Sequence, residues 1–448
     1  MVTLGEPYSV RSEERRRASR RKGRRKGRRR GARRGRTPTA EKLADVERWE
    51  AVYPAGVAKE ACRLSHRRGV WRFEGGRAVR VGYEIYRGPK NQYGRIEGVL
   101  GRSEYGIEIA LSVAYLVYVM GLSLDRTCEV LRFFQGLRLG KSQAESLLKH
   151  LARDWSEEFD WLCELLTYSA IVHADETSWS LKNVWAFLSE NVRLLFFGVG
   201  KDRQTLNAIL SPERFRGLLI SDDARVYDRF EHLQRCWAHL LRKAIALTLQ
   251  SPDEERYRDL LEGLLAIYRR ACRVQRDRRF SPAGRERKVG ELEEAVLSLC
   301  ARHWVEELPE EGPERAYGLL VREIWRLATN KQLFQFVTTE AVPTPKGELM
   351  TASGTNNEAE RSLRSVAQAR KTGRTNKTVT GARRRTVIVS VLESLRQYLE
   401  TFTFETLLAE VRRWLATGRS CFAELAERLG VPAPRHCVLD VLLPGPSP

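Results

Sequence analysis

The sequence predicts an α/β protein in which a mixed sheet covered by helices is interrupted by an all-α segment and preceded by a mainly helical amino-terminal region. Three observations carry this. Between Tyr168 and Gly200, the apolar runs YSAIVHADETSW, VWAFLSE and VRLLFFGVG are separated by short polar joints, as in a meander. From about 237 to 337, apolar residues recur at helical spacing. A Pro-, Gly- and Thr-rich stretch over 338–355 then gives way to another helix.

Taken in order, the chain opens with a tail. Residues 11–36 hold sixteen Arg or Lys against two Glu, a net +14 out of the formal +21. With no apolar periodicity and self-repelling charge, residues 1–40 are expected to be disordered and to seek a polyanion, DNA before acidic membrane because no apolar face accompanies the charge. The eight cysteines are scattered, which suggests reduced thiols in a cytosolic protein. The longest apolar run, Ile109 to Leu122, is too short to cross a bilayer and reads as a buried helix. A cytoplasmic, nucleoid-associated protein is the expectation.

Residues 41–165 form the expected amino-terminal domain. A helix over Thr39 to Val52 precedes RAVRVGYEIYRG at 77–88, a short strand or hairpin, and helices follow from Ser103. Ser123 can cap a helix that ends near Gly136, and the next begins at Lys141. The pair over 123–151 fits either a helix-turn-helix or an ordinary helical hairpin; in the first case Lys141, Gln143, Lys149 and Arg153 would meet DNA.

Residues 166–236 begin the sheet. After the three strands, Asp202 to Leu210 reads as a helix and Arg216 to Ser221 as a buried strand. A helical insertion is expected over 237–350, with stripes such as Leu260, Leu264 and Tyr268, or Leu292, Val296 and Leu299. Residues 351–415 return to the core, with Asn356 and Asn357 as candidate caps, and 416–448 form a tail.

Three acidic signatures stand out: His173-Ala174-Asp175-Glu176, Ser221-Asp222-Asp223 and Asn356-Asn357-Glu358-Ala359-Glu360. Asp175 and Asp222 end apolar strands, where open α/β sheets place ligands. Phosphodiester cleavage needs charge relief at the attacking and leaving oxygens, which two Mg²⁺ ions supply when carboxylates hold them. On the last helix, Ala359, Leu363, Val366 and Ala367 define an apolar face closer to Glu360 than to Glu358, so Glu360 is favoured as the third acid. Glu176, Asp223 and Glu358 are then neighbours, and His173 is a strand-packing histidine.

HADETSW, LLISDDARVY, RCWAHLLRK and TNNEAERSLR occur in that order, and from about Ser103 to Leu415 the chain resembles insertion-sequence transposases of family sixty-six. The resemblance implies an RNase-H-like core with a mixed five-stranded sheet. It also implies that Asp175, Asp222 and Glu360 form a DDE triad acting with two Mg²⁺ or Mn²⁺ to cleave transposon ends and transfer a 3′-hydroxyl to target DNA. The family's glycine after the second aspartate is replaced by Asp223, so 222 and 223 both stand at that place. Its amino-terminal cysteine motif for zinc is absent.

Cys236 and His239, like Cys300 and His303, are spaced one helical turn apart and together could hold zinc; packing with a histidine hydrogen bond is the favoured reading. The basic residues Arg361, Arg364, Arg370, Lys371, Arg374, Lys377, Arg383, Arg384 and Arg385 crowd the last acid and are expected to contact phosphates. Double-stranded DNA, both element ends and target, is the expected partner of a homodimer or larger assembly. A non-catalytic DNA-binding protein and an RNase-H-type nuclease are the alternatives.

Overall fold

The computed structural model describes residues 43–444, so the tail expected over 1–40 lies outside the described residues. The chain begins with a small sheet of β1 (Arg48–Val52), β2 (Arg63–Glu74) and β3 (Arg77–Arg87), in the order β1-β3-β2. Alternation along β3 buries Val79, Val81, Tyr83 and Ile85. The helix expected over Thr39 to Val52 is a strand from Arg48 onward. A Cβ at Gly82 would lie 2.6 Å from the Trp49 ring; the glycine leaves room for Trp49, and β1 docks parallel to β3 there. Local pattern loses to that contact, and the mainly helical character begins only at residue 107.

There follow α1 (Ile107–Ala114), a π-helical turn at Tyr115–Val119, α2 (Leu124–Gln135), α3 (Lys141–Asp154) and α4 (Ser156–Thr167). The Ser123 hydroxyl accepts the Arg126 N–H at 3.2 Å, and Gly136 ends α2 at φ 68°. Leu131, Leu147, Leu151, Phe159 and Leu166 belong to the same core as the sheet that comes next. These helices are one wall of the body that the sheet completes.

That sheet contains β4 (Ile171–Ser178), β5 (Asn183–Ser189), β6 (Arg193–Val199), β7 (Leu218–Ser221) and β8 (Leu233–Arg235), in the order β6-β5-β4-β7-β8. β4, β5 and β6 are antiparallel neighbours; β4, β7 and β8 run parallel. Between β6 and β7 lies α5 (Arg203–Ile209), capped by Asp202 on the Thr205 N–H at 2.8 Å. The three apolar runs, the helix and the fourth strand fall where the sequence places them. The fifth strand, β8, has three residues, too few to carry a period.

Next come α6 (Trp237–Gln250), α7 (Glu255–Arg276), α8 (Pro282–Arg302), α9 (Pro313–Thr329) and the short α10 (Gln335–Thr338). Their stripes close a second core around Trp237, Leu264, Leu299 and Ile324, and this core reaches Ile171, Leu218 and Ile220 on the sheet. After a hairpin of β9 (Val342–Pro343) and β10 (Leu349–Met350), the chain returns as α11 (Asn357–Lys371) and α12 (Val379–Tyr398).

Helix α12 covers the β6 edge of the sheet. The N–H groups of Arg193, Leu195 and Phe197 each donate to a hydroxyl, of Ser394, Ser390 and Thr386 in turn, all at 3.0 Å. Spacing by four on a helix matches spacing by two on a strand, so one hydroxyl row satisfies an edge that would otherwise be open.

The chain continues as α13 (Phe404–Thr417), and the expected tail is packed over its described part as α14 (Cys421–Arg428) and α15 (Val438–Leu442). Phe422 is fully buried against Trp414 and Tyr398, a burial that stabilises by roughly 1.5–3 kcal/mol.

Candidate active site

Two steps of strand register assemble the acidic centre. β4 pairs with β7 as Ile171↔Leu218 and His173↔Ile220; two residues further, Asp175 comes level with Asp222, just beyond the end of β7, on the same face. Helix α11 packs across β4 and β5 and brings Glu360 to that face. Asp175 accepts only the Glu176 N–H, at 2.9 Å, and Asp222 only the Ala224 N–H, at 3.1 Å. Burial first, then the carboxylates of Glu176, Asp222 and Glu360, push Asp175 up to about 7. Glu360 pairs with Arg242 of α6 at 2.5 Å.

The neighbouring acids are engaged elsewhere. Glu176, its side chain 2% exposed, faces the other side of β4, where Lys201 Nζ lies 2.6 Å away and the Tyr227 hydroxyl donates at 2.9 Å. Asp223 receives Arg326 on both oxygens, at 2.7 and 2.9 Å. Glu358 pairs with Arg361 at 3.2 Å. The two adjacent aspartates therefore differ physically, Asp223 carrying a cation and Asp222 a backbone amide alone, whereas Glu358 and Glu360 are each paired with an arginine.

Two residues that the sequence did not place at the centre, Arg235 and the expected cap Asn356, hold it in place. Arg235, its side chain 1% exposed, donates to the carbonyls of Asp222 at 2.5 Å and Ala224 at 3.2 Å, and pairs with Asp228 at 2.5 Å. It fixes the loop that carries Asp222. Asn356 does not cap α11 with its side chain as expected. Its buried amide instead donates to the Ala174 carbonyl at 2.7 Å and meets His173 Nδ1 at 3.3 Å, which pins the start of the helix to β4 beside Asp175. Burial lowers His173 to about 4, so it packs as a neutral ring, in keeping with the sequence reading.

The four-ligand zinc arrangement does not form. Cys300 sits in the apolar stripe of α8, and His303 is taken up by Tyr317 at 2.6 Å and Asp259 at 3.0 Å. Cys236 and His239 lie beside Glu360 instead. Among the described residues, these three alone bring potential ligand atoms within 4.8 Å of one another.

The basic residues divide into two groups. Arg361, Arg364, Arg370, Lys371, Arg374 and Lys377 are exposed along α11 and the loop after it, although Arg370 also donates to the Ser178 carbonyl at 2.9 Å. Arg383, Arg384 and Arg385 do not form the expected phosphate surface. Arg383 clamps α15 through Leu439 O at 3.0 Å and Asp440 at 2.7 Å; Arg384 turns to the Tyr118 hydroxyl at 3.0 Å. Arg385 stacks over Phe197 at 4.9 Å and Trp179 at 5.0 Å. On α3, Lys141, Gln143, Lys149 and Arg153 line an exposed face, with Lys141 paired to Asp125 at 2.9 Å.

The donor set fits hard divalent cations: carboxylates without a cationic hydrogen-bond partner at Asp175 and Asp222, the first of them pushed up to about 7 by burial and by its neighbouring carboxylates. No helix among the described residues is long and apolar enough to cross a membrane. No curated protein matches the chain. The family model described as Transposase IS66 family matches residues 102–384, a span that holds the five strands, the helices between them and all three acids. The chain belongs to the IS66 family of transposases.

Proposed function

We propose that the protein cleaves DNA at the ends of an insertion element and joins the freed 3′-hydroxyl to target DNA, with Asp175, Asp222 and Glu360 as the catalytic triad. The observation that carries this is the gathering of three acids from separate segments onto one face, two of them without a cationic partner. The strand order β6-β5-β4-β7-β8, with the first three antiparallel, supports an RNase-H-like core split by an inserted helical domain. Two Mg²⁺ or Mn²⁺, when bound, supply the charge that activates the attacking oxygen and relieves the leaving one.

The chain's own residues orient the reaction. The Glu176 N–H holds one Asp175 oxygen, Arg235 immobilises the backbone at Asp222, and Asn356 sets the entry of the helix that carries Glu360. Arg361, Arg364, Arg370, Lys371, Arg374 and Lys377 contact phosphates and position DNA without reading its sequence, and the face of α3 with Lys141 and Lys149 provides a second DNA contact. Two ends must meet, so the active form is at least a dimer on DNA, working in the cytoplasm at the nucleoid.

The test is Mg²⁺-dependent cleavage and joining of DNA carrying the repeats that flank this coding region. Asp175→Ala, Asp222→Ala and Glu360→Gln should each lower the rate by at least about a thousandfold, or ~4 kcal/mol, while retaining DNA binding by gel shift. Unchanged cleavage in these variants would refute the triad, and binding without any cleavage would leave a non-catalytic DNA-binding protein.

A further inference from the structure

One cluster at the centre has chemistry that the carboxylates do not. Cys236 precedes α6 and His239 lies one turn in, while Glu360 comes from the first turn of α11. The Cys236 thiol is buried and its sulfur accepts the Asn356 N–H at 3.1 Å, which orients it. His239 Nδ1 is buried without a hydrogen-bond partner, and Glu360 Oε1, at 3.8 Å, is beyond hydrogen-bonding reach. A buried nitrogen left without a partner has a cost unless something fills the space between these groups.

The ligand atoms already lie within 4.8 Å of one another. Mg²⁺ selects oxygen ligands, whereas sulfur, imidazole nitrogen and carboxylate together form a donor set for zinc, with a fourth position left to water.

We infer that Cys236, His239 and Glu360 form a second metal site, selective for a thiophilic divalent cation of the zinc class. Its sulfur and nitrogen ligands are distinct from the triad; only the sharing of Glu360 rests on the function proposed above. Binding there replaces the thiol proton, which passes to solvent, uses the lone pair of Nδ1, and draws Glu360 from Arg242. Zinc at this site and Mg²⁺ at the triad therefore compete for one carboxylate.

The test uses the full chain titrated with Co²⁺ as a spectroscopic probe and then with Zn²⁺. One equivalent of Co²⁺ should produce a thiolate-to-metal absorption band that Zn²⁺ abolishes, with a proton released. Cys236→Ser should remove the band. His239→Asn and Glu360→Gln should weaken binding by more than about tenfold, the lower bound seen even for second-shell losses, and Asp175→Asn should leave the band intact.

Absence of a stoichiometric band in the unaltered protein overturns the site, as does a band that survives Cys236→Ser. The two readings fail separately. A normal band alongside undiminished Mg²⁺-dependent cleavage in Asp175→Asn removes the triad and keeps the zinc site; the reverse pattern removes the zinc site alone.

Discussion

Asp175 and Glu176 are consecutive residues of one strand, and the sheet sends them into opposite surroundings. Glu176 is enclosed with an ammonium and a phenol and has a partner for each oxygen. Asp175 faces a backbone amide and other carboxylates, and burial pushes it up to about 7. The protein is able to neutralise a buried acid on β4 and does so on one face only. The other face keeps a deficit of positive charge, which is what a divalent cation needs to bind.

The sharpest way to break this comparison is to neutralise each acid in turn. Asp175→Asn is expected to lower cleavage by at least about a thousandfold, or ~4 kcal/mol, without lowering thermal stability. Glu176→Gln should cost less than about tenfold in rate while lowering stability, since it removes charge from a paired, enclosed group. Equal losses of rate in the two variants would erase the distinction between the faces.

A second pair of half-buried acids extends the comparison to a region away from the site. Glu158 and Asp160 lie on α4 beneath the carboxy-terminal helices; burial pushes them up to about 7 and about 6, and hydrogen bonds to Ser420 and Cys437 oppose this only in part. Both folded-state values exceed the unfolded carboxylate range near ~4. Their stabilisation is therefore complete below about pH 4 and is lost as pH rises through 6 to 7. The loss is on the order of a few kcal/mol in total, discounted for the solvent that reaches Asp160. Urea unfolding across this window should show it, and Glu158→Gln with Asp160→Asn should flatten the profile; an unchanged slope would disprove the assignment.

The smallest effect isolates one contact. Tyr227→Phe removes the hydroxyl that serves Glu176 and should cost about 1.5–3 kcal/mol, seen as a lower urea midpoint at constant slope. A neutral result would mean that Lys201 alone keeps Glu176 satisfied.

Much of this arrangement is legible in the sequence, because strand ends and helix faces obey fixed periods. The runs around Ile171, Trp185 and Phe196 read directly as strands, and a step of 100° per residue separates Glu360 from Glu358. What escapes depends on contacts far along the chain. β1 is a strand because Gly82 makes room for Trp49. Asn356 looks like a cap but spends its side chain on β4. Arg383 to Arg385 look like a phosphate surface, yet the helix they open is buried on most sides. The apolar run VIVSVL directly after them is the signal that could have shown this. Arg235 opens the RCWAHLLRK motif, but its role is not legible there, since its partners Asp222, Ala224 and Asp228 lie along a loop whose path only the fold defines.

The hydroxyl row of α12 has a consequence for synthesis on the ribosome. Arg193 and Ser394 are 201 residues apart, so at 5–20 residues per second the β6 edge waits roughly 10–40 s for its cover. During that interval a nascent chain presents an unpaired, apolar strand to its neighbours. Crowded polysomes and chaperone supply should therefore govern how much active protein accumulates.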